Sequence, residues 1–144
     1  MSNLSICVFK NSFVRIDYYS SELLLEITWL PLTEHMTKKD YQECFLAYLE
    51  IRKNNLVNKL LIDESQYFYV TDFDLQKWAI KLLNEEIKYK VSFVCIILNK
   101  YFIQQMLLKL LIEEVTNDDI DILFFTSKAD AIQCLLDDIM IATR

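Results

Sequence analysis

The stretch Val91-Ser92-Phe93-Val94-Cys95-Ile96-Ile97-Leu98 decides the fold class, because every position except Ser92 is apolar. It is far shorter than the roughly 20 residues that a membrane-spanning helix needs. A short, nearly unbroken apolar run is typical of a parallel strand covered on both faces. Two further apolar segments, Lys59–Asp63 and Ile120–Phe125, precede and follow it, each separated from it by a stretch of helical periodicity. This alternation predicts an α/β fold with parallel strands.

The N-terminal segment has the pattern of antiparallel strands. We predict strands at Ile6–Phe9, Phe13–Tyr19 and Leu23–Leu30, separated by polar turns. In the second strand apolar and charged residues alternate, which indicates one buried and one solvent-facing side. The apolar set is Val14, Ile16 and Tyr18, and the charged set is Arg15 and Asp17. The predicted sheet is therefore mixed.

Four helices are predicted from their start signals, which are side chains able to accept a hydrogen bond from the first turn. These N-cap residues are Thr37, Thr71, Asn99 and Ser127. The helix from Lys100 to about Val115 is apolar over a wide arc, so we expect it to contact more than one surface. Asn54-Asn55 stands where a helix commonly ends in a left-handed residue. The order is β-β-β-α-β-α-β-α-β-α, a mixed sheet with helices packed against it, in a single domain spanning residues 1–144.

The chain has no glycine in 144 residues, where average usage of about 7% would give roughly ten. Glycine supplies positive φ at no steric cost and lets a ligand approach the backbone closely. Its absence excludes the glycine-rich phosphate loop, the dinucleotide-binding turn and the G-x-S-x-G nucleophile elbow. Large classes of nucleotide-binding proteins and hydrolases are excluded with them.

The net charge of −6 and the pI near 4.8 disfavour phosphate-rich partners. Nucleic acids and anionic membranes repel such a surface, so we expect neither nucleic-acid binding nor membrane insertion. The start, Met1-Ser2-Asn3-Leu4, lacks the positive region of a signal peptide. The cysteines Cys7, Cys44, Cys95 and Cys134 are far apart and lie in apolar segments. They are interpreted as reduced core residues of a cytoplasmic protein rather than as a disulfide framework or metal site.

The order of elements, with Leu60-Leu61-Ile62-Asp63 leading through a loop into a capped helix, resembles the STAS-like fold. That fold is shared by the anti-sigma-factor antagonists of sporulation and the related CRAL-TRIO lipid-binding domains. Within that fold, the chain resembles small STAS-like proteins of Bacteroidetes. The remaining matched segments are Leu25-Glu26-Ile27-Thr28-Trp29, His35-Met36-Thr37, Tyr67-Phe68-Tyr69 and Leu75-Gln76-Lys77-Trp78.

The resemblance implies a non-catalytic regulatory or protein-interaction module without a cofactor. Its expected partner is another protein, and a homodimer is one alternative. The CRAL-TRIO branch implies a second function, the carriage of a small apolar ligand or lipid. The antagonist branch carries a phosphorylatable Ser or Thr in a D-[ST]-[ST]-G-like turn after the central strand. The matching turn here is Asp63-Glu64-Ser65-Gln66, which lacks the glycine. Ser65 matches the phosphorylated position most closely, and Thr71 lies at the predicted start of the next helix. These two residues are the candidate phosphoacceptors.

An aromatic segment after this turn is the candidate interaction surface. Its residues are Tyr67, Phe68, Tyr69 and Phe73. Aromatic clusters are enriched at interfaces, and the same rings could line an apolar pocket; the structural alternative, which the pattern favours, is a loop that lays its rings across the end of the sheet. These readings stay open at the level of the sequence.

Groups suited to catalysis are few. Asp63 and Glu64 are adjacent carboxylates that could share a proton or hold Mg²⁺; we expect instead a turn acid and a solvated one. His35 is the single histidine, so every histidine-based mechanism depends on it. We predict that it is a loop residue before the Thr37 cap, and that the protein has no metal site.

Overall fold

The strands lie side by side in the order in which they occur along the chain and form one six-stranded sheet. The structure, a computed structural model, describes residues 4–99 and 120–142. The strands are β1 (Ile6–Lys10), β2 (Val14–Tyr19), β3 (Leu24–Trp29), β4 (Lys59–Asp63), β5 (Phe93–Ile97) and β6 (Asp121–Phe125). The helices are α1 (Lys38–Asn54), α2 (Phe73–Glu86) and α3 (Lys128–Ala142), with a 3-10 helix at Pro31–His35.

The sheet is mixed, as predicted. β1, β2 and β3 pair antiparallel, whereas β3, β4, β5 and β6 pair parallel. Across the parallel strands, a single row of paired residues runs through Ile27, Ile62, Ile96 and Phe124. The α/β class is confirmed, and the strands lie at or near their predicted positions. The helix predicted from Lys100 to about Val115 lies outside the described residues.

The two faces of the sheet carry separate apolar clusters. On one face, Val14, Ile16, Ile27, Leu60 and Val94 pack with residues of α1. On the other face, α3 places Ala131 and Leu135 against the sheet, where they meet Leu24, Leu61, Phe93, Cys95 and Ile97. Every residue of β5 is buried, as expected of a parallel strand covered on both sides.

Two of the predicted helix starts are confirmed and one is wrong. The Thr37 hydroxyl accepts from the Asp40 N–H at 3.2 Å, and the Asp40 carboxylate accepts from the Thr37 N–H at 2.9 Å, which completes a capping box. Ser127 accepts from the Asp130 N–H at 3.4 Å at the start of α3. The N-cap of α2 is Asp72 rather than Thr71, because the Asp72 carboxylate accepts from the Leu75 N–H at 2.7 Å.

The left-handed conformation occurs at a different residue from the one predicted. α1 ends at Asn54, but Asn55 is extended, with φ −139°. Within the described residues, positive φ is found at Leu23, with φ 53°. Its carbonyl accepts from the N–H groups of Asn58 and Lys59 at 2.9 and 3.2 Å, which ties the β2–β3 turn to the start of β4.

Charged residues on the α3 face of β2 are less exposed than the alternation predicted. Asp17 and Glu26 lie directly opposite each other on β2 and β3, and both are buried. Arg15 Nε pairs with Asp17 at 3.1 Å, and Lys128 Nζ of α3 pairs with Glu26 at 3.1 Å. The prediction that this side of β2 faces solvent is therefore wrong at Asp17. Asp17 and Glu26 can be buried because each is paired with a cation and α3 packs on this face of the sheet.

Candidate functional site

A cavity of about 250 Å³ lies between the sheet and the helices α1 and α2. Its floor is aliphatic and comes from alternate residues of neighbouring strands: Ile16, Ile27, Leu60, Ile62 and Val94. Protein interiors normally leave few voids larger than a water molecule. An apolar cavity of about 150 Å³ already binds benzene, so this one is large enough for a small organic molecule.

Small side chains on the two helices leave this space open. Cys44 of α1 and Ala79 of α2 are buried and face the floor across the cavity. Both stand at positions of the apolar helix stripe where a large side chain would fill the space. The small size of these two residues therefore leaves the void, while their apolar character suits the helix stripe that faces the sheet.

Glu64 is a buried carboxyl group in the cavity wall. It follows β4 directly and continues the alternation of Leu60 and Ile62, so its side chain lies on the cavity side of the sheet. Only 6% of the residue is exposed. Burial, with a smaller contribution from the Asp63 charge, raises the pKa of Glu64 from 4.5 to about 8. The group is therefore protonated at neutral pH.

Gln76 is a second buried polar group in the wall, and 7% of it is exposed. Its Nε2 donates to the Thr71 carbonyl at 3.2 Å. Its Oε1 is buried and, among the residues that the structure describes, finds no hydrogen-bond partner. A buried acceptor without a donor costs about 1–3 kcal/mol, so the site tolerates a penalty that a suitable ligand would remove.

Glu64 and Gln76 belong to the same end of the cavity. The Tyr67 N–H donates to the Glu64 carbonyl at 3.0 Å, and the Tyr67 hydroxyl lies 2.7 Å from the Thr71 hydroxyl. Thr71 in turn holds Gln76. Thr33 fixes the intervening loop, because its hydroxyl donates to the Gln66 carbonyl at 3.1 Å and accepts from the Phe68 N–H at 2.9 Å.

An aromatic cluster packs around this end. The Trp29 ring lies 4.8 Å from the Tyr67 ring and is stacked on Tyr41 at 6.2 Å. Tyr41 also stacks on Tyr69 and Phe45, at 6.0 and 6.4 Å. Burial, with smaller contributions from Glu64 and Tyr69, raises the pKa of the Tyr41 phenol, so that group stays neutral. The end that holds Glu64 is thus closed by rings.

The opposite end of the cavity reaches solvent. Among the described wall residues, Asn84 and Lys90 are the exposed ones. Arg52 lines the cavity and is buried, donating to the Tyr48 hydroxyl at 2.9 Å and to the Tyr89 carbonyl at 2.6 Å. At about 3.3 Å per residue, Leu60 and Glu64 are about 13 Å apart along β4. This arrangement suits an elongated ligand that enters the cavity past Asn84 and Lys90.

The candidate phosphoacceptors both have hydrogen-bonded hydroxyls. Ser65 Oγ donates to Asp63 Oδ1 at 2.6 Å, so a phosphate there would lie beside a carboxylate. Thr71 is engaged with Tyr67 rather than capping α2. Phosphorylation of Ser65 or Thr71 stays a prediction.

The predicted interaction surface is divided between the interior and the exterior. Tyr67 is buried, so it does not belong to an exposed surface, whereas Phe68 and Tyr69 are half-buried. Phe73 is 53% exposed and lies under Lys77 Nζ, 4.4 Å from the ring centroid. Tyr67 and Tyr69 pack on the cavity residues Trp29 and Tyr41 from behind, so packing across the end of the sheet describes them better than lining the pocket.

Gln76 is absent from the candidate site residues predicted from the sequence, and Glu64 is named there only as a carboxylate next to Asp63. Glu64 was expected to be solvated, which is wrong. The signal was present, because Glu64 extends the inward positions of Leu60 and Ile62 by one step. Gln76 lies three and four positions before Ala79 and Ile80, on the stripe of α2 that faces the cavity.

The other candidate groups do not gather into a catalytic or metal-binding arrangement. His35 is exposed at the end of the 3-10 helix, and Asp63 is buried and bonded to Ser65. The described residues bring no three metal-ligating side chains together. Cys44 and Cys95 are buried as predicted, whereas Cys7 is exposed at the edge strand, contrary to the prediction.

No protein-family model, curated protein or solved structure matches this chain. The resemblance to STAS-like proteins therefore stays a prediction. Within residues 4–99 and 120–142, no helix has the length and apolar character needed to cross a bilayer.

Proposed function

We propose that this protein binds a small, elongated, apolar molecule in the cavity between its sheet and the helices α1 and α2. The observation that carries the proposal is a largely apolar space of about 250 Å³ whose wall holds three buried polar side chains, Glu64 and Gln76 at the closed end and Arg52. Ligand sites are typically apolar, with a small number of placed polar groups and perturbed pKa values. The arrangement supports carriage of the ligand rather than its conversion, and the free thiols support a cytoplasmic location.

Native mass spectrometry of freshly purified protein tests the proposal, together with titration of a polarity-sensitive apolar dye. We expect a co-purified small molecule and displacement of the dye by apolar compounds. Ala79→Leu fills the cavity and should weaken dye binding by about tenfold or more. Lys81→Leu adds the same side chain on the exposed side of α2 and is the matched control. Equal dye binding by the Ala79→Leu variant, or no bound molecule and no dye binding at all, would overturn the proposal.

A second candidate function is the protein-interaction role, with another copy or a different protein as partner. It is favoured by two exposed apolar residues, Val70 in the loop before α2 and Phe73 at the first position of α2. Exposed aromatic residues are common anchors of interfaces. Replacing Phe73 by Ala should weaken crosslinking or self-association without changing dye binding. Light scattering that shows only monomer, with no crosslinked partner, would refute this role.

A further inference from the structure

We propose that the ligand carries an uncharged hydroxyl group, which is held between Gln76 and Glu64 at the closed end of the cavity. This inference rests on the proposed ligand-binding function. It names the chemical class of the ligand, an aliphatic or aromatic alcohol, and its orientation. The hydroxyl enters first, and the apolar portion points towards Asn84 and Lys90.

Gln76 defines the donor that the ligand must supply. Its Nε2 already donates to the Thr71 carbonyl, and a carbonyl can only accept, so the orientation of the amide is determined by that bond. The remaining Oε1 is a pure acceptor, buried in the cavity wall without a partner among the described residues. A ligand satisfies it by presenting an N–H or O–H group.

Glu64 defines the second requirement. Its carboxyl lies in the same wall, and the loop from Glu64 to Thr71 links it to Gln76. The neighbouring titratable groups are the Asp63 carboxylate and the phenols of Tyr41 and Tyr67. Burial, with a smaller contribution from the Asp63 charge, raises the pKa of Glu64 to about 8, so the carboxyl is protonated at neutral pH and donates one hydrogen bond. A hydroxyl group accepts that bond through its oxygen while its own proton goes to Gln76.

Other head groups fit this end of the cavity less well. A carboxylate has no proton for Gln76 and would add negative charge beside Asp63 and Glu64. An ether accepts from Glu64 but leaves Gln76 unsatisfied. An ammonium group would require Glu64 to ionise in an apolar space, and the desolvation of a buried ion pair is expensive.

Competition with the bound dye by four compounds of equal chain length tests the inference: 1-octanol, octyl methyl ether, octanoate and octylamine. We expect 1-octanol to bind about tenfold more tightly than the ether, the effect of one hydrogen bond of about 1.4 kcal/mol. Gln76→Leu should remove this preference while leaving ether binding intact. Glu64→Leu removes the donor from which alcohol and ether both accept, so it should weaken the binding of both compounds. Gln133→Leu, on the exposed side of α3, is the matched control.

The outcomes separate the inference from the function on which it rests. If no compound displaces the dye and no molecule co-purifies, the ligand-binding function itself fails. If the ether binds as tightly as the alcohol, the function stands and the hydroxyl inference is overturned. Tightest binding of octylamine would indicate an ion pair with Glu64, and tightest binding of octanoate a head group at Arg52 and Lys90; either result overturns the inference.

Discussion

Glu64 combines burial with a position in the wall of the cavity, and this sets a pH dependence for the whole protein. Its pKa rises from 4.5 to about 8 on folding, so the folded state holds a proton that the unfolded state releases. The stabilisation is fully present below pH 4.5 and is lost as the pH rises towards 8. The free energy of unfolding should therefore fall across this range by up to about 5 kcal/mol.

Urea denaturation between about pH 5 and 9 measures this effect. Glu64→Gln should flatten the decline, because the amide does not titrate. Glu85→Gln, an exposed carboxyl of α2, should leave the decline as it is in the wild type. The same slope in the wild type and in Glu64→Gln would show that Glu64 is not the group responsible.

Leu23 shows what the lack of glycine costs at one residue. A left-handed conformation with φ 53° is unfavourable for leucine by roughly 1–2 kcal/mol. Asparagine tolerates it, whereas a β-branched residue does not. Leu23→Asn should therefore retain the wild-type free energy of unfolding within about 0.5 kcal/mol. Leu23→Val should lose about 1–2 kcal/mol. Denaturant titrations decide between them, and a larger loss in the asparagine variant would contradict the backbone explanation.

At the scale of elements, α3 is joined to the sheet by the pair Lys128–Glu26 as well as by apolar packing. Glu26 is buried opposite Asp17 and also accepts from the Tyr19 hydroxyl at 2.9 Å. Removing Lys128 leaves the buried Glu26 carboxylate without its cation and opposite Asp17, which keeps its pair with Arg15. Lys128→Met should therefore lower the free energy of unfolding by about 1–2 kcal/mol. The double variant Lys128→Met/Glu26→Gln should recover some of the loss.

The exposed pair Lys53–Glu86 between α1 and α2 is the control for that experiment. Lys53→Met should cost less than about 0.5 kcal/mol, because solvent screens a pair exposed on both sides. Equal losses in Lys53→Met and Lys128→Met, measured by urea denaturation, would contradict a special role for Glu26.

At the scale of the whole molecule, the cavity couples stability to occupancy. The residues around an empty cavity lack packing contacts on that side. A ligand that binds only the folded state stabilises the folded state by about 2.7 kcal/mol when its concentration is a hundredfold above Kd. Stripping the co-purified molecule should therefore lower Tm by several degrees, and adding it back should restore Tm. The Ala79→Leu variant should show neither change in a thermal scan. A Tm independent of ligand in the wild type would count against occupancy of the cavity.

The sequence alone determined the class of the fold, because strand and helix periodicities follow from local spacing. The apolar run at Phe93–Ile97 and the cap at Thr37 are local features, and both were predicted from a few neighbouring residues. The N-cap of α2 could not be chosen from local sequence, because Thr71 and Asp72 are adjacent and both are good N-cap residues. In the structure the Thr71 hydroxyl contacts the Tyr67 hydroxyl, and Asp72 caps the helix.

Only the tertiary structure decided which polar residues are buried and where space is left between the layers. Glu64 becomes a neutral acid because α1, α2 and the sheet surround it, and Asp17 is buried because α3 covers its face. A cavity is a shortfall of volume among side chains from many segments, such as Cys44, Ala79 and Leu60. Burial and volume depend on residues distant in the chain, whereas periodicity depends on neighbours, and this difference separates what could be predicted from what could not.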